Sequence, residues 1–339
     1  MDCDILVLGS GPAASLAARS LAGAGRDVLQ LIGTPGKCRP LEVFDPATCR
    51  EFEDDGLDCL TVGVECRGLL YCWDSPNPQF HDYELFGCAV ARALDRGTLH
   101  TMLGQAARDA GVRAVDAGQD QAFRDIDVGL ARVQDAGIRP RWVIDARGRS
   151  CSSPSPISRI HFDRHVAIST PFAAELRRDC LIVEAVANGW WYVPPSADGN
   201  TQLVFLSDAD LLPVTPDRRR WLTANFASST LVSKLGPSPS FDVLTGADAR
   251  ASCLTALSHG RWLAAGDNSL ALDPLSGSGL ATALRGAREL TSSLTKFGGA
   301  QAYEAWWRST CDRQNILRQG IYARAAIRFP RSPYWARRR

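Results

Sequence analysis

Hydrophobic positions follow two rhythms along the chain. DILVLG, near the N-terminus, is a short unbroken apolar run, the pattern of a strand buried in a parallel sheet. PAASLAARSLAGAG continues with Ala and Leu at helical spacing and ends on Gly25, a suitable residue just past a helix C-terminus. DVLQLIG is the next strand, so the N-terminus predicts a right-handed βαβ unit. A helix is expected over DPATCREFEDDG, with Asp45 as N-cap, Pro46 in the first turn and Gly56 as the stop. Another covers LDRGTLHTMLGQAARDAGV, with Leu99, Leu103, Ala106 and Ala110 as its apolar stripe. WVIDA and RWLAAGD read as buried strands, GSGLATALRGARELTSSL as a helix, and Gln301 to about Arg328 as an amphipathic helix.

The second rhythm is shorter and richer in aromatics. Residues 61–87 and 159–243 alternate strand-like runs with turns, interrupted by a helix expected after Thr215 and Pro216. No repeat or low-complexity linker separates the two rhythms, so the layers are expected to interleave. Residues 1–60, 88–158 and 250–295 form a discontinuous nucleotide-binding layer, 61–87 and 159–249 a β-sheet substrate layer, and 296–339 a C-terminal helical segment. The fold class is α/β, α+β overall, with a Rossmann-type domain carrying the cofactor.

Composition changes this picture little. The 339 residues are 45% hydrophobic, enough for a sizeable core. A net charge of +1 argues against a dedicated nucleic-acid partner or a polybasic membrane anchor. No apolar run reaches the ~20 residues of a membrane span, and MDCDILVLGSG lacks a signal-peptide pattern. Eleven scattered cysteines with no C-x-x-C pair suit reduced thiols, so a cytoplasmic protein is expected, with no metal site.

Candidate chemistry begins at Gly9-x-Gly11-x-x-Ala14, after a strand and opening a helix. Gly9 permits the tight turn, and Gly11 lets the backbone approach a pyrophosphate. Pro12 and Ala13 begin the helix whose N-terminus faces the anion, and a small Ala14 lets helix and strand pack closely. The acid that would hold the ribose at the end of the second strand is missing, because Ile32 and Gly33 stand there. A second Gly-rich turn, GDNSLALDPLSGSGL from Gly266 to Leu280, also opens a helix.

Together with VIDARGR, that turn resembles segments of FAD-dependent monooxygenases of the aromatic-hydroxylase type. The resemblance implies FAD. Asp145 would lie near its adenosine part, Gly266 and Asp267 would hold the ribityl and pyrophosphate, and Pro274, Ser276 and Gly277 would face the reactive side of the flavin. Gly279 and Leu280 continue that turn into the helix, whose N–H groups would stabilise negative charge on reduced flavin. Arg39, in RPLEVFDP, and Arg96, which begins a helix, would stand beside the cofactor.

GWWYVPP places Trp190, Trp191 and Tyr192 in a row, and on a strand they cannot all face one core. They are expected to supply a pocket wall. The segment is similar to the Trp-x-Trp-x-Ile-Pro of halogenases, one residue short and without the second Trp. The chain's lysines, Lys37, Lys234 and Lys296, all miss the region where a halogenase places its pocket lysine. GWWYVPP, RWLAAGDNSLALDPLSGSGL and RFPRSPYWARRR most resemble flavoprotein maturases that hydroxylate tryptophan for tryptophylquinone cofactors. The reading is therefore FAD-dependent hydroxylation of an electron-rich aromatic, tryptophan or indole, in a partner protein or peptide, using O2. Electrons would come from a separate flavin reductase or from transient NAD(P)H. A halogenase and a non-catalytic FAD-binding partner protein are the alternatives. His81 is a speculative substrate-side acid–base group. His161 and His165, four apart on an expected strand, read as surface residues.

Overall fold

The βαβ opening forms as its pattern dictates in the computed structural model, which describes residues 3–33, 41–58, 63–85, 91–118 and 137–339. Among these residues the chain runs β1 (Ile5–Leu8), α1 (Pro12–Gly23), β2 (Val28–Gly33), β3 (Glu42–Phe44), α2 (Pro46–Asp54), β4 (Val64–Cys66), β5 (Gly68–Cys72) and β6 (Gln79–Asp82). It continues through β7 (Ala91–Leu94), α3 (Arg96–Asp109), β8 (Arg113–Gly118), β9 (Trp142–Asp145), β10 (Arg159–His161), β11 (His165–Ala173), β12 (Cys180–Val186), β13 (Gly189–Val193) and β14 (Asn200–Asp208). The last part is α4 (Thr215–Ala227), β15 (Thr245–Asp248), β16 (Ser252–Leu254), β17 (Ser258–His259), β18 (Trp262–Ala264), β19 (Leu270–Ala271), α5 (Gly279–Lys296), α6 (Gln301–Ala326) and α7 (Pro333–Ala336).

One sheet has the order β17-β18-β9-β1-β2-β8, and every pair in it is parallel except β17-β18. Its central strand β1 is buried at all four positions, as an apolar run covered on both faces must be. Gly25 lies one residue beyond the α1 C-cap with φ +80°, where an L side chain would be strained. Asp45 caps α2 by accepting from the Thr48 N–H at 2.6 Å. The stripe of α3 is corrected by one position at its end. Leu99, Leu103 and Ala107 are buried, whereas Ala106 and Ala110 are only partly covered, because the contact face follows a strict i, i+4 row.

A seven-stranded sheet, β15-β11-β14-β13-β12-β5-β6, forms the second layer. Alternation along β13 sends its two tryptophans to opposite faces. Trp190 packs edge-on against Trp73 and sits in a cluster with Tyr322, Tyr334 and Trp335. Trp191 packs against Phe205, Phe226 and Phe241 on the other side. A three-stranded sheet, β10-β16-β19, and a second one, β3-β7-β4, complete the fold. His161 and His165, expected on one strand, fall on two strands of different sheets because Phe162–Arg164 turns the chain between them. His161 is exposed. His165 is 1% exposed, which corrects its reading as a surface residue. Among the described residues no helix is long and apolar enough to cross a membrane, and the eight described cysteines form no disulfide.

Candidate cofactor and active site

The β1–α1 turn is held from three sides. Gly9 has φ +127°, and a Cβ there would lie 2.6 Å from the Ala146 carbonyl oxygen, so only glycine lets β1 close onto the end of β9. Its N–H donates to the Leu31 carbonyl at 3.0 Å, and its own carbonyl accepts from Gln30 Nε2 at 3.0 Å. Gly11 differs. It is the N-cap of α1 with φ −77°, and a Cβ on it would meet nothing within 4 Å. Pro12 begins the helix and Ala14 is fully buried against the sheet. The first turn of α1 carries no acidic side chain, so its N-terminal dipole faces the open space uncompensated.

The second Gly-rich turn lands on the first. Gly266 has φ +60°, and a Cβ there would sit 2.3 Å from the Ala13 Cβ. Gly266→Ala is expected to destabilise the protein by about 2–3 kcal/mol, from left-handed backbone strain plus overpacking against α1. Thermal melting of the purified variant measures this, and an unchanged melting temperature contradicts the contact. Farther on, Asp273 accepts from the Leu275 N–H at 2.9 Å and starts the 3-10 turn Pro274–Ser276. Gly277 follows at φ +58°, and Cβ atoms on Gly277 and Gly279 would both meet open space. Helix α5 starts at Gly279, and among the described residues no side chain caps its first N–H groups. Leu280, in that first turn, is half-buried.

The charged residues read from sequence take less uniform positions. Asp145 is 0% exposed and turned inward. It accepts two hydrogen bonds from the Arg147 guanidinium, at 2.8 and 2.7 Å, and one from Trp262 Nε1 at 3.2 Å. Its carboxylate is thus occupied by the protein's own donors, while its backbone carbonyl accepts from Asn268 Nδ2 and the Ala265 N–H. Asp267 is half-exposed and paired to Arg149 at 2.8 Å. Arg96 pairs with Glu42 at 3.0 Å. Arg39 lies outside the described residues. His81 stands on β6, an edge strand, with its ring against Tyr83 at 5.6 Å.

A cavity of about 180 Å³ opens between the Leu270–Ser278 segment and α6. Phe162, Leu272, Leu275, Ile321 and Tyr322 form apolar walls, and Ser276, Gln314 and Arg318 add polar groups. Trp190, Trp191 and Tyr192, expected as pocket wall, are not among its lining residues. The two tryptophans are core on either side of the sheet, and the Tyr192 hydroxyl donates to the Leu41 carbonyl at 3.3 Å.

Behind the cavity lies a buried polar network that sequence reading missed. Trp190 Nε1 donates to the Tyr322 hydroxyl at 3.1 Å, and that hydroxyl donates to Asp273 Oδ1 at 3.1 Å. Burial opposes ionisation of Asp273, yet hydrogen bonding from His165 and the Leu275 N–H, with nearby positive charge, holds its carboxyl below the usual range. His165 Nδ1 faces Asp273 Oδ2 at 3.4 Å and Asp163 at 3.8 Å. Those three side chains could gather a cation. Positive charge is already present, since Arg318 pairs with Asp163 at 3.3 Å. Sequence gave no signal for the set, because its members come from β11, β13, the Asp273 turn and the C-terminal segment.

The open glycine cradles at two helix N-termini fit a long, flat, anionic cofactor such as FAD. The fold is similar to those of solved FAD-dependent halogenases and flavin monooxygenases. Peptidyl tryptophan dihydroxylase QhpG, essential for tryptophylquinone cofactor biogenesis, superposes with a TM-score of 0.77 at 19% identity, over 100% of this chain and 79% of that one. The myxobacterial chondrochloren halogenase CndH gives 0.79 at 17% identity, over 100% and 86%. The p-nitrophenol 4-monooxygenase PnpA from Pseudomonas putida DLL-E4 gives 0.68 at 17%, over 99% and 88%. The sequence matches no family profile and no curated protein.

Proposed function

We propose that the protein is an FAD-dependent monooxygenase acting on an electron-rich aromatic ring. The observation that carries this reading is the meeting of the two Gly-rich turns at Gly266 and Ala13, with open cradles at Gly11, Gly277 and Gly279. Bound FAD supplies the redox chemistry and the activation of O2. The residues of the chain do the rest. Gly11 and the first N–H groups of α1 hold the pyrophosphate, and Asp267 takes ribityl hydroxyls. The N-terminus of α5, from Gly277 to Leu280, stabilises negative charge on the ring system through fixed dipoles. The apolar cavity beside Ser276 keeps water out and orients the substrate ring. Its 180 Å³ exceeds the ~150 Å³ of an apolar cavity known to hold benzene. Burial of Trp190 and Trp191 leaves substrate selection to that cavity.

Similarity to QhpG supports a tryptophan side chain, or an indole like it, within a protein or peptide as the ring. A separate flavin reductase or transient NAD(P)H would supply the electrons. Similarity to the halogenase CndH supports a second reading, halogenation of such a ring. One incubation separates them: the FAD-loaded protein, a flavin-reducing system, O2, bromide, and indole or a tryptophan-containing peptide. A mass gain of one or two oxygens is expected. A bromine isotope pattern selects the second reading, and a purified protein that takes up no FAD defeats both.

A further inference from the structure

His165 Nε2 has two close neighbours, the Tyr334 hydroxyl at 2.7 Å and the Arg338 guanidinium at 2.7 Å. A guanidinium can only donate. A hydrogen on Nε2 would meet the Arg338 N–H head-on, so Nε2 must be the acceptor and the ring proton sits on Nδ1. That proton then points to the carboxylate side of the network, toward Asp273 Oδ2 at 3.4 Å. Neither atom makes a well-aligned hydrogen bond, and each is buried with the other as its near polar neighbour. Their interaction is thus an electrostatic approach at 3.4 Å. Arg338 is itself fixed, since Asp208 accepts from it and its guanidinium lies 3.7 Å over the Tyr334 ring. Tyr334 and Trp335 anchor this tail segment at 0% exposure.

We infer that His165 is a positioning residue, set in its Nδ1–H tautomer by Arg338 of the C-terminal tail, that holds Asp273 and through it the turn at Pro274–Gly279. Asp273 is the pivot, because its Oδ1 caps the Leu275 N–H and accepts from Tyr322 while its Oδ2 faces His165. The tail thus reaches the turn through two side chains. Metal binding at Nδ1 would need the opposite tautomer, with Nε2–H pointing at Arg338. The consequence for catalysis rests on the reading of this turn as flavin-facing. The tautomer and the rigidity of the turn do not.

The test uses the full chain without added cofactor. Nitrogen-15 NMR of histidine-labelled protein, with His165 assigned from a variant, reads which nitrogen carries the proton. Hydrogen exchange at Leu275–Ser278 is then compared in His165→Leu, His165→Asn and Arg338→Met. Protonated Nδ1 is expected, with exchange raised roughly 10-fold in His165→Leu and Arg338→Met, the equivalent of about 1.4 kcal/mol. His165→Asn should restore protection, because its amide N–H stands near the Nδ1 position. A proton on Nε2, uptake of one equivalent of added Zn2+ at His165, or unchanged exchange in Arg338→Met overturns the inference. If His165→Leu does not fold, the wild-type NMR and Arg338→Met decide. Should exchange respond as expected while FAD fails to bind, the tail-to-turn linkage stands and the cofactor assignment falls.

Discussion

Gly11→Val is expected to lower FAD affinity at least ~100-fold, about 2.7 kcal/mol, while the melting temperature moves by only a few degrees. The separation follows from backbone geometry. Gly11 sits at φ −77° and ψ 171°, extended values any residue adopts, and among the described residues no atom lies within 4 Å of a Cβ built there. Valine therefore strains nothing in the folded chain, and as an N-cap it forfeits no side-chain hydrogen bond, because glycine makes none. Its branched carbons occupy the space through which a pyrophosphate must approach the α1 N–H groups. Gly9 is the control, since its φ of +127° and the 2.6 Å approach to Ala146 make any side chain there a folding defect. Titration of apo-protein with FAD, beside a thermal melt, measures both quantities. Full FAD affinity in Gly11→Val would remove the N-terminal turn from the cofactor site.

Asp145→Ala is expected to cost about 3–5 kcal/mol of stability, a larger effect than any cofactor contact made by that side chain. Asp145 is 0% exposed and Arg147 is 7% exposed in their side chains. Removing the carboxylate takes from the buried guanidinium the acceptor of its two shortest hydrogen bonds, leaving the longer one to the Ser152 carbonyl at 3.4 Å. It also takes from the Trp262 Nε1–H its acceptor. Denaturant unfolding of the cofactor-free protein is the measurement. A loss below about 1 kcal/mol, the range of an exposed ion pair, together with weakened FAD binding, would return Asp145 to a ligand role.

These two residues show how far sequence could be read. Gly9, Gly266 and Gly277 were legible as turn residues, because each takes a positive φ that a glycine between a strand and a helix already suggests, while the closure of Gly266 onto Ala13 was not. The strands and helices were legible for the same reason, since unbroken apolar runs and caps such as Asp45 are local signals. Side-chain direction was not. Alternation on β13 required Trp190 and Trp191 to separate, but only the packing of Phe226, Phe241, Tyr322 and Trp335 around them makes both core. His165 reads as a surface residue because it lies four positions from His161 on an expected strand, and its burial depends on Tyr334 and Arg338 at the far end of the chain. No local pattern carries a network assembled from segments so distant.

Helix α6 bears on how the protein comes apart. Its first half sets Tyr303, Trp307 and Cys311 into the core beneath the parallel sheet. Its last turns set Tyr322, Ala325 and Ala326 into the core of the seven-stranded sheet. A continuous helix cannot let go of one core while staying seated in the other without fraying in its middle, where the cavity is. The two layers should therefore melt as one cooperative unit, in a single calorimetric transition with matching van't Hoff and calorimetric enthalpies. The same splint leaves no place to cut the chain that would yield an independently folding cofactor module.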